Sequence, residues 1–281
     1  MNKVNQLTKE QKNEEKLLLA KVLDKVKFSQ TRNRQENTDF MNLAEQMYIE
    51  KNIEMKKIDN CEMYGGYESA ERKMLVIYPQ YYIDSHNKKD ERFYEDENSL
   101  IKESRIYNDI ISIIRIELPK ELYKTFEHKT YLGALMKLGL KREKIGDILV
   151  RDNGADIIVA KEVERFIISN LPSLTRFQKS KITSQPIEKL QYTEQEKQII
   201  KINVPSMRLD CIVGELAKCS RSDAVNLINE ERVFVNFKQE IVASKKIEEN
   251  TYITIRGKGR FKINKIIATT RSGRLSVEVE K

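Results

Sequence analysis

The feature that most constrains the fold is a change of hydrophobic period within the last eighty residues. Apolar residues first recur at three- and four-residue spacing, which predicts one face of a helix: Leu209, Ile212, Val213 and Leu216. Lys218-Cys219-Ser220 then interrupts the pattern, and either Ser220 or Ser222 is placed to cap a second helix. Strict alternation follows at Arg232–Asn236 (RVFVN) and at 251–256 (TYITIR), which predicts strands. We therefore expect two short helices followed by a small sheet.

The same region carries an unusual charge distribution. Residues 251–276 contain seven basic residues and no acidic one, although 43 acids in 281 residues predict about four in such a stretch. The whole chain has 51 Lys and Arg against 43 Asp and Glu, a formal net charge of +8. Clustered cations attract phosphate and release its counterions, so this pattern indicates a polyanionic partner. A solvated basic face with no partner is the alternative.

The amino-terminal part of the chain has a helical pattern. Leucines and valines at three- and four-residue spacing predict a helix over residues 8–28. Thr38 is a plausible N-cap for a second helix carrying Phe40, Leu43, Met47 and Ile49, with Glu45 and Gln46 facing outward. We therefore predict a helical amino-terminal unit over residues 1–72.

A β-β-α-β-β-α order follows in residues 73–172, which we predict to be a middle RNA-binding domain. Strand signals lie at 73–78, 110–118, 145–150 and 155–159, and helical patterns lie near 131–139 and 161–171. Asp152-Asn153-Gly154 is a turn sequence that favours a hairpin between the last two strands. The polar stretch 82–102 is predicted to be a loop, and 173–203 a linker or peripheral strand before a terminal module at 204–281. The fold class predicted is α+β, with helices on one face of a mainly antiparallel sheet.

Two motif sets resemble known families. Residues 208–260 read RLD-x9-SRSDAVNLI-x3-RVFVN-x19-RGKGR and resemble the S4 RNA-binding domain. Many members of that family have glycine where Glu231 and Phe237 stand here. Upstream, Gly65-Gly66-Tyr67, Ala70-Glu71-Arg72, residues 128–134 (HKTYLGA) and 139–149 (GLKREKIGDIL), together with 206–210 (SMRLD), resemble the YlmH family of bacterial S4-domain proteins.

The resemblance implies a function and a set of contacts. It implies a protein that binds ribosomal RNA and tRNA on the large ribosomal subunit carrying peptidyl-tRNA, during rescue of stalled nascent chains. Other nascent-chain rescue factors are further candidate partners. The residues expected to contact RNA are basic or polar and lie in the terminal module: Arg208, Lys218, Ser220, Arg221, Ser222, Arg232, Asn236, Lys238, Arg256, Lys258, Arg260, Arg271 and Arg274. Four further basic residues either form a second phosphate-contacting surface in the middle domain or solvate the end of a helix: Lys137, Lys141, Arg142 and Lys144.

The sequence lacks the signatures of three classes of enzyme that can carry an S4 domain. A pseudouridine synthase would need an aspartate after Gly-Arg-Leu, but Ser276 follows Gly273-Arg274-Leu275. Neither a synthetase signature at His86 or His128 nor a glycine-rich nucleotide loop is present. We therefore expect no catalytic residues and no cofactor. An RNA-modification enzyme with an S4 targeting domain and a cell-division-associated adaptor remain the alternatives.

The cysteines and the apolar content bear on the cellular setting. Cys61, Cys211 and Cys219 form no Cys-x-x-Cys pair, and only two histidines are available, so we expect neither a metal site nor disulfides. No apolar run reaches the roughly 18–20 residues of a membrane span, and no signal peptide is evident. The sequence thus predicts a cytoplasmic protein with no membrane partner.

Overall fold

The computed structural model describes residues 2–80, 107–192 and 198–281, with side chains of the first helix described from residue 13 onward. The stretch 82–102, predicted to be a loop, lies outside these residues. The chain divides into two compact units, Met1–Thr193 and Glu194–Lys281. Across the described ranges, no helix has the length and apolar character that a membrane crossing requires.

The first unit begins with two helices and a three-stranded sheet. Helix α1 spans Asn2–Arg32, β1 spans Glu36–Asn37, α2 spans Leu43–Met55, β2 spans Cys61–Tyr64 and β3 spans Met74–Ile77. The sheet order is β1-β3-β2, with both pairs antiparallel. The helices pack on this sheet through a common apolar core: Val22, Val26, Met41, Ile49, Ile53, Leu75 and Ile77.

The cap predicted for α2 was wrong. Asn42 caps the helix, because its side chain accepts from the backbone N–H groups of Ala44 and Glu45, and the Glu45 carboxylate accepts from the N–H of Asn42 at 2.7 Å. Thr38 instead lies beside β3, where its hydroxyl accepts from the Leu75 N–H at 2.9 Å. Gln46 was expected to face outward but is buried, and its amide donates to the carbonyls of Met41 and Glu71.

The amino-terminal sheet spans the boundary that the sequence suggested between residues 72 and 73. Strand β3 follows that boundary, yet it pairs with β1 and β2 from the preceding segment. All four residues of β3 are buried, and a buried central strand needs hydrogen-bond partners on both edges. Strands β1 and β2 supply them, so the amino-terminal segment is mixed α and β rather than helical.

The rest of the first unit forms a four-stranded antiparallel sheet with the order β5-β6-β4-β7. Its strands are β4 (Ile111–Glu117), β5 (Ile145–Arg151), β6 (Gly154–Ala160) and β7 (Lys181–Gln185), and its helices are α3 (His128–Lys137) and α4 (Glu164–Asn170). The hairpin predicted at Asp152-Asn153-Gly154 joins β5 and β6, with Arg151 paired to Gly154. A β-carbon on Gly154 would come within 1.8 Å of the Ile116 carbonyl oxygen, so the close strand approach requires glycine.

Both faces of this sheet are covered. Side chains on one face of β6, such as Ile157 and Val159, join a core with α3 and α4, while Ile158 and Ala160 pack with Phe40 and Met74 on the other face. This arrangement explains why every residue of β6 is buried. The α+β class is therefore confirmed, but the ββαββα order is altered. Strand β3 belongs to the other sheet, and β7, within the predicted linker 173–203, supplies the missing edge strand.

The second unit is a six-stranded antiparallel sheet with two helices. Strand β8 spans Ile199–Val204, α5 spans Leu209–Ala217, α6 spans Arg221–Asn229, β9 spans Val233–Val235 and β10 spans Lys238–Gln239. Strands β11 (Thr251–Ile255), β12 (Gly259–Thr269) and β13 (Leu275–Glu280) complete the order β10-β9-β11-β12-β13-β8. Strand β8 comes from the predicted linker, and β13 was not anticipated.

One face of this sheet and both helices share a single core. Alternate residues of β11 are buried, and they join apolar side chains from α5, α6 and the other strands. The inward positions predicted in α6 are confirmed at Ala224 and Ile228, which are fully buried, while Leu227 packs at the margin. Within the described residues of this unit, both helices pack on the same face of the sheet.

Candidate nucleic-acid interface

A tight connection between α5 and α6 brings polar and basic side chains to one edge of the second unit. Lys218 ends α5 in the left-handed conformation with φ 53°, and the N–H of Cys219 donates to the Gly214 carbonyl at 3.0 Å. Ser220 then caps α6 by accepting from the N–H of Asp223 at 3.1 Å. The sequence left the cap open between Ser220 and Ser222, and the structure assigns it to Ser220. Lys218, Ser220 and Arg221 are consequently exposed at the turn.

Asp210 orients the two arginines that flank it in the fold. The Arg208 guanidinium donates to both carboxylate oxygens, at 3.1 Å to Oδ1 and 2.9 Å to Oδ2. Arg221 donates two further hydrogen bonds to Oδ2, at 3.0 and 2.8 Å. The Asp210 side chain is 2% exposed, whereas those of Arg208 and Arg221 are 42% and 63% exposed. A buried carboxylate therefore fixes two guanidinium groups that still face solvent.

The charge state of Asp210 follows from these contacts. Hydrogen bonds from Arg208 and then Arg221 hold the pKa of the Asp210 carboxyl well below its usual range, against the opposing effect of burial. The backbone N–H of Cys211 also donates to Oδ1 at 3.0 Å. Asp210 is thus an anion at neutral pH. The paired guanidinium groups are held at defined positions, as phosphate recognition by planar forks requires.

Arg274 adds a further basic side chain to this edge. It lies in the turn before β13 and donates to the Asn203 carbonyl at 2.6 Å and to the Glu215 carboxylate of α5 at 2.8 Å. A shallow groove of about 550 Å³ lies beside α5, and its lining includes Asp210, Lys218, Ser220, Arg221 and Arg274. We call the five predicted contact residues gathered here the helix-turn surface: Arg208, Lys218, Ser220, Arg221 and Arg274.

A second group of predicted residues lies at the turn between β11 and β12. The N–H of Arg256 donates to the Arg232 carbonyl at 2.9 Å, and the Arg232 guanidinium donates to the Arg256 carbonyl at 3.2 Å. Arg256, Lys258 and Arg260 are exposed on this turn, which Gly257 and Gly259 form with positive φ. Burial and Asp223 raise the pKa of the Cys219 thiol, and the positive charge of Lys258 opposes that rise. Arg256, Lys258 and Arg260 thus present three exposed basic side chains on one turn.

The other predicted residues of this unit are dispersed. The Asn236 side chain accepts from the N–H of Tyr252 at 2.9 Å and so holds the turn between β9 and β10. Ser222 is exposed at the start of α6, Lys238 is exposed on β10, and Arg271 is exposed in the turn before β13. Asn236 thus has a structural contact, whereas the basic side chains remain at the surface.

The four basic residues predicted as a second phosphate-contacting surface differ in their exposure and contacts. Lys137 and Lys141 are exposed. Arg142, in contrast, donates to the carbonyls of Ile145 and Gly146, and Lys144 lies between the carboxylates of Asp39 and Glu162. Arg142 and Lys144 therefore stabilise the first unit rather than extend a free cationic surface.

The upstream motifs are likewise joined by structural contacts. The Asp147 carboxylate accepts from the Tyr67 hydroxyl at 2.9 Å and from the N–H groups of Glu71 and Arg72 at 2.7 and 3.1 Å. The Arg72 guanidinium donates to the carbonyls of Ile145 and Phe40. Residues 65–72 and 139–149 thus form one connected structural unit.

Comparison with known proteins agrees with these motifs. Residues 108–191, which contain β4 to β7, match the family model described as "Putative RNA-binding domain in YlmH". The "Ribosome-associated protein quality control protein P2" of Bacillus subtilis is 26% identical over 270 residues, covering 95% of each chain. The chain is therefore similar to YlmH proteins in its middle domain. A solved structure of the "Cell division protein ylmH from Streptococcus pneumoniae" aligns with 63% of this chain and 95% of its own, at 21% identity and a TM-score of 0.43.

Sequence reasoning missed Asp210, the residue that organises the site. Asp210 lies inside the Arg-Leu-Asp motif but is absent from the predicted contact residues. A signal was present, because Asp210 is an acidic residue in a largely apolar segment that lies between two arginines, Arg208 and Arg221. A buried acid requires a cationic partner, so arginines on both sides in sequence could have indicated the cluster.

Proposed function

We propose that this protein is a ribosome-associated RNA-binding factor that docks on the large subunit carrying peptidyl-tRNA. There it would support rescue or quality control of stalled nascent chains in the cytoplasm. It would act by binding ribosomal RNA and tRNA rather than by catalysis, and it would need no cofactor. The family model supports RNA binding by the middle domain, and the name of the B. subtilis relative supports the ribosomal setting.

The observation that carries the proposal is the pair of guanidinium groups fixed by Asp210. Phosphate contacts position a protein on folded RNA, and fixed arginines make such contacts at low entropic cost. Four basic residues lie on the helix-turn surface, against one buried and one exposed acid at the adjoining groove. This arrangement suits the recognition of RNA by its backbone and shape.

Sedimentation on sucrose gradients tests the proposal. Wild-type protein should co-migrate with large subunits, and Arg221→Gln should shift a substantial fraction to the top of the gradient. Arg221 is preferable to a double alanine variant, because loss of both arginines would leave the buried Asp210 carboxylate without a cation and would destabilise the unit.

Lys201→Gln provides a matched control. It removes one positive charge from the same unit, at an exposed position on β8 that is not part of the helix-turn surface. Co-migration of Arg221→Gln at the wild-type level would contradict the role of that arginine. Absence of wild-type protein from all ribosomal fractions would overturn the proposed function.

A further inference from the structure

The face of the second sheet that lies opposite the helices carries aromatic rings. Because side chains alternate along a strand, the buried positions Val233, Val235 and Ile253 direct Phe234 and Tyr252 to the other face. Phe237, in the adjoining turn, lies 5.4 Å from the Tyr252 ring, centroid to centroid. All three rings are partly exposed to solvent.

Each of these rings has a cation over it. The Arg256 guanidinium carbon is 4.9 Å from the centroid of Phe234, and that of Arg260 is 5.3 Å from the centroid of Phe237. The Lys262 ammonium is 5.8 Å from the centroid of Tyr252. We call these six residues the stacking face: Phe234, Phe237, Tyr252, Arg256, Arg260 and Lys262.

Acidic side chains are also present on this side of the sheet. The stacking face lies on β9, β11, β12 and their adjoining turns, whereas Glu278 and Glu280 alternate with buried valines on β13. Asn264 donates to Glu278 at 3.2 Å, and Lys262 stands opposite Glu280 in the register. Glu278 also stands opposite Lys265 of β12 and Lys201 of β8, so these acids are matched by neighbouring lysines. The aromatic rings, more than charge, therefore distinguish the half of this face that carries the stacking residues.

We propose that the stacking face binds unpaired nucleobases of single-stranded RNA. Aromatic rings and arginine planes both stack on bases, and neighbouring cations contact the phosphates between them. The bases would stack on the ring-cation pairs of Phe234, Phe237 and Tyr252, with Lys262 available to the backbone. This site is separate from the helix-turn surface and adds a single-stranded contact to it; the choice of RNA as the ligand rests on the proposed function.

A pair of probes separates stacking from charge. The full-length protein is titrated with fluorescent octa-adenylate RNA and with an eight-phosphate abasic chain of the same charge. Wild-type protein should bind octa-adenylate about tenfold more tightly, since one stacked base contributes about this much. Equal affinity for the two probes would overturn the proposal.

Variants locate the effect on the molecule. Phe234→Leu/Tyr252→Leu should weaken octa-adenylate binding about tenfold and leave binding of the abasic chain unchanged. Tyr123→Leu removes an exposed ring from the other unit and should alter neither. Arg260→Gln retains the three rings and should weaken binding of both probes. It tests the site even if the double variant misfolds. Unchanged octa-adenylate binding by folded Phe234→Leu/Tyr252→Leu would assign the bases to another surface and refute the site.

The same preparations distinguish this inference from the proposed function. Wild-type protein that co-sediments with large subunits but binds both probes equally would retain the function and lose the stacking face. Protein that prefers octa-adenylate but does not bind subunits would retain the stacking face and lose the ribosomal role.

Discussion

Replacement of Asp210 by asparagine separates geometry from charge at the helix-turn surface. The substitution removes one of 43 acids while 51 basic residues remain, so the formal net charge rises from +8 to +9. If binding depended on charge alone, Asp210→Asn would bind RNA more tightly. We expect the opposite, a loss of RNA affinity of about fivefold. Without the carboxylate, Arg208 and Arg221 are no longer held in place and must be ordered during binding.

The cost to stability can be worked from the same contacts. One hydrogen bond to a charged group, such as the buried Asp210 carboxylate, contributes about 1.5–3 kcal/mol to the free energy of unfolding. Both arginines are exposed enough to be hydrated once released, and asparagine can still accept from the N–H of Cys211. We therefore expect a loss of about 2 kcal/mol, which lowers the Tm of a unit of this size by about 10 °C.

The pH dependence of protein stability provides an independent test of the contacts of Asp210. Its pKa is depressed in the folded protein relative to the ordinary aspartate value of 3.8, so its contribution is fully present above that value. As the pH falls below 3.8 towards the folded pKa, the carboxylate binds a proton and the contribution is lost. The difference in stability between wild type and Asp210→Asn should therefore narrow between pH 5 and pH 3.

Calorimetry and fluorescence anisotropy against a ribosomal RNA fragment measure the two effects. Glu248→Gln is the matched control, because it adds the same charge at an exposed position of the same unit. It should bind RNA as tightly as wild type or slightly more tightly. Asp210→Asn that behaves like Glu248→Gln in both assays would refute the positioning role.

Three further predictions concern binding and local structure. Binding to large subunits should weaken steeply with salt, by about one logarithmic unit per tenfold rise for each phosphate contacted, and a flat response would contradict phosphate-led binding. Glu231→Gly should raise the free energy of unfolding by about 0.5–1 kcal/mol, because Glu231 holds a left-handed φ of 59°, whereas Glu230→Gly at φ −75° should lower it. Gly154→Ala should destabilise the first unit by about 3 kcal/mol in urea titrations, since its β-carbon would meet the Ile116 carbonyl oxygen at 1.8 Å; wild-type stability would show that the hairpin can shift at no cost.

The sequence predicted elements best where one face of a helix or strand is buried. The α5 and α6 helices, the break at Lys218 and strand β11 were all visible as periodic patterns. The hairpin at Gly154 was visible because its turn residues are few and distinctive. Residue-level patterns therefore identified the terminal helices and the hairpin of the middle domain.

Pairing between distant strands was harder to predict. Strand β3 reads as an isolated apolar run, and nothing local shows that β1 and β2 become its neighbours rather than β4. Strand β7 has only partly buried residues, so its KITSQ pattern resembles a polar linker. Such assignments depend on contacts between segments far apart in the chain, which periodicity does not encode.

The candidate site could likewise be predicted only in part. Basic residues could be located by charge bias, but their roles depended on tertiary contacts. Arg142 and Arg221 are both basic residues within motifs, yet one donates to backbone carbonyls of its own unit and the other faces solvent beside Asp210. Glu231 and Phe237 retain the left-handed turns in which glycine was expected, with φ values of 59° and 64°.

Equilibrium binding to purified large ribosomal subunits tests the central claim most directly. Subunits with and without peptidyl-tRNA are pelleted with wild-type protein, Arg221→Gln or Lys201→Gln over a range of concentrations. The account predicts saturable wild-type binding that is tighter with peptidyl-tRNA, weakened about fivefold in Arg221→Gln and unchanged in Lys201→Gln. Wild-type protein that stays in the supernatant, or Arg221→Gln that binds as tightly as wild type, would contradict it.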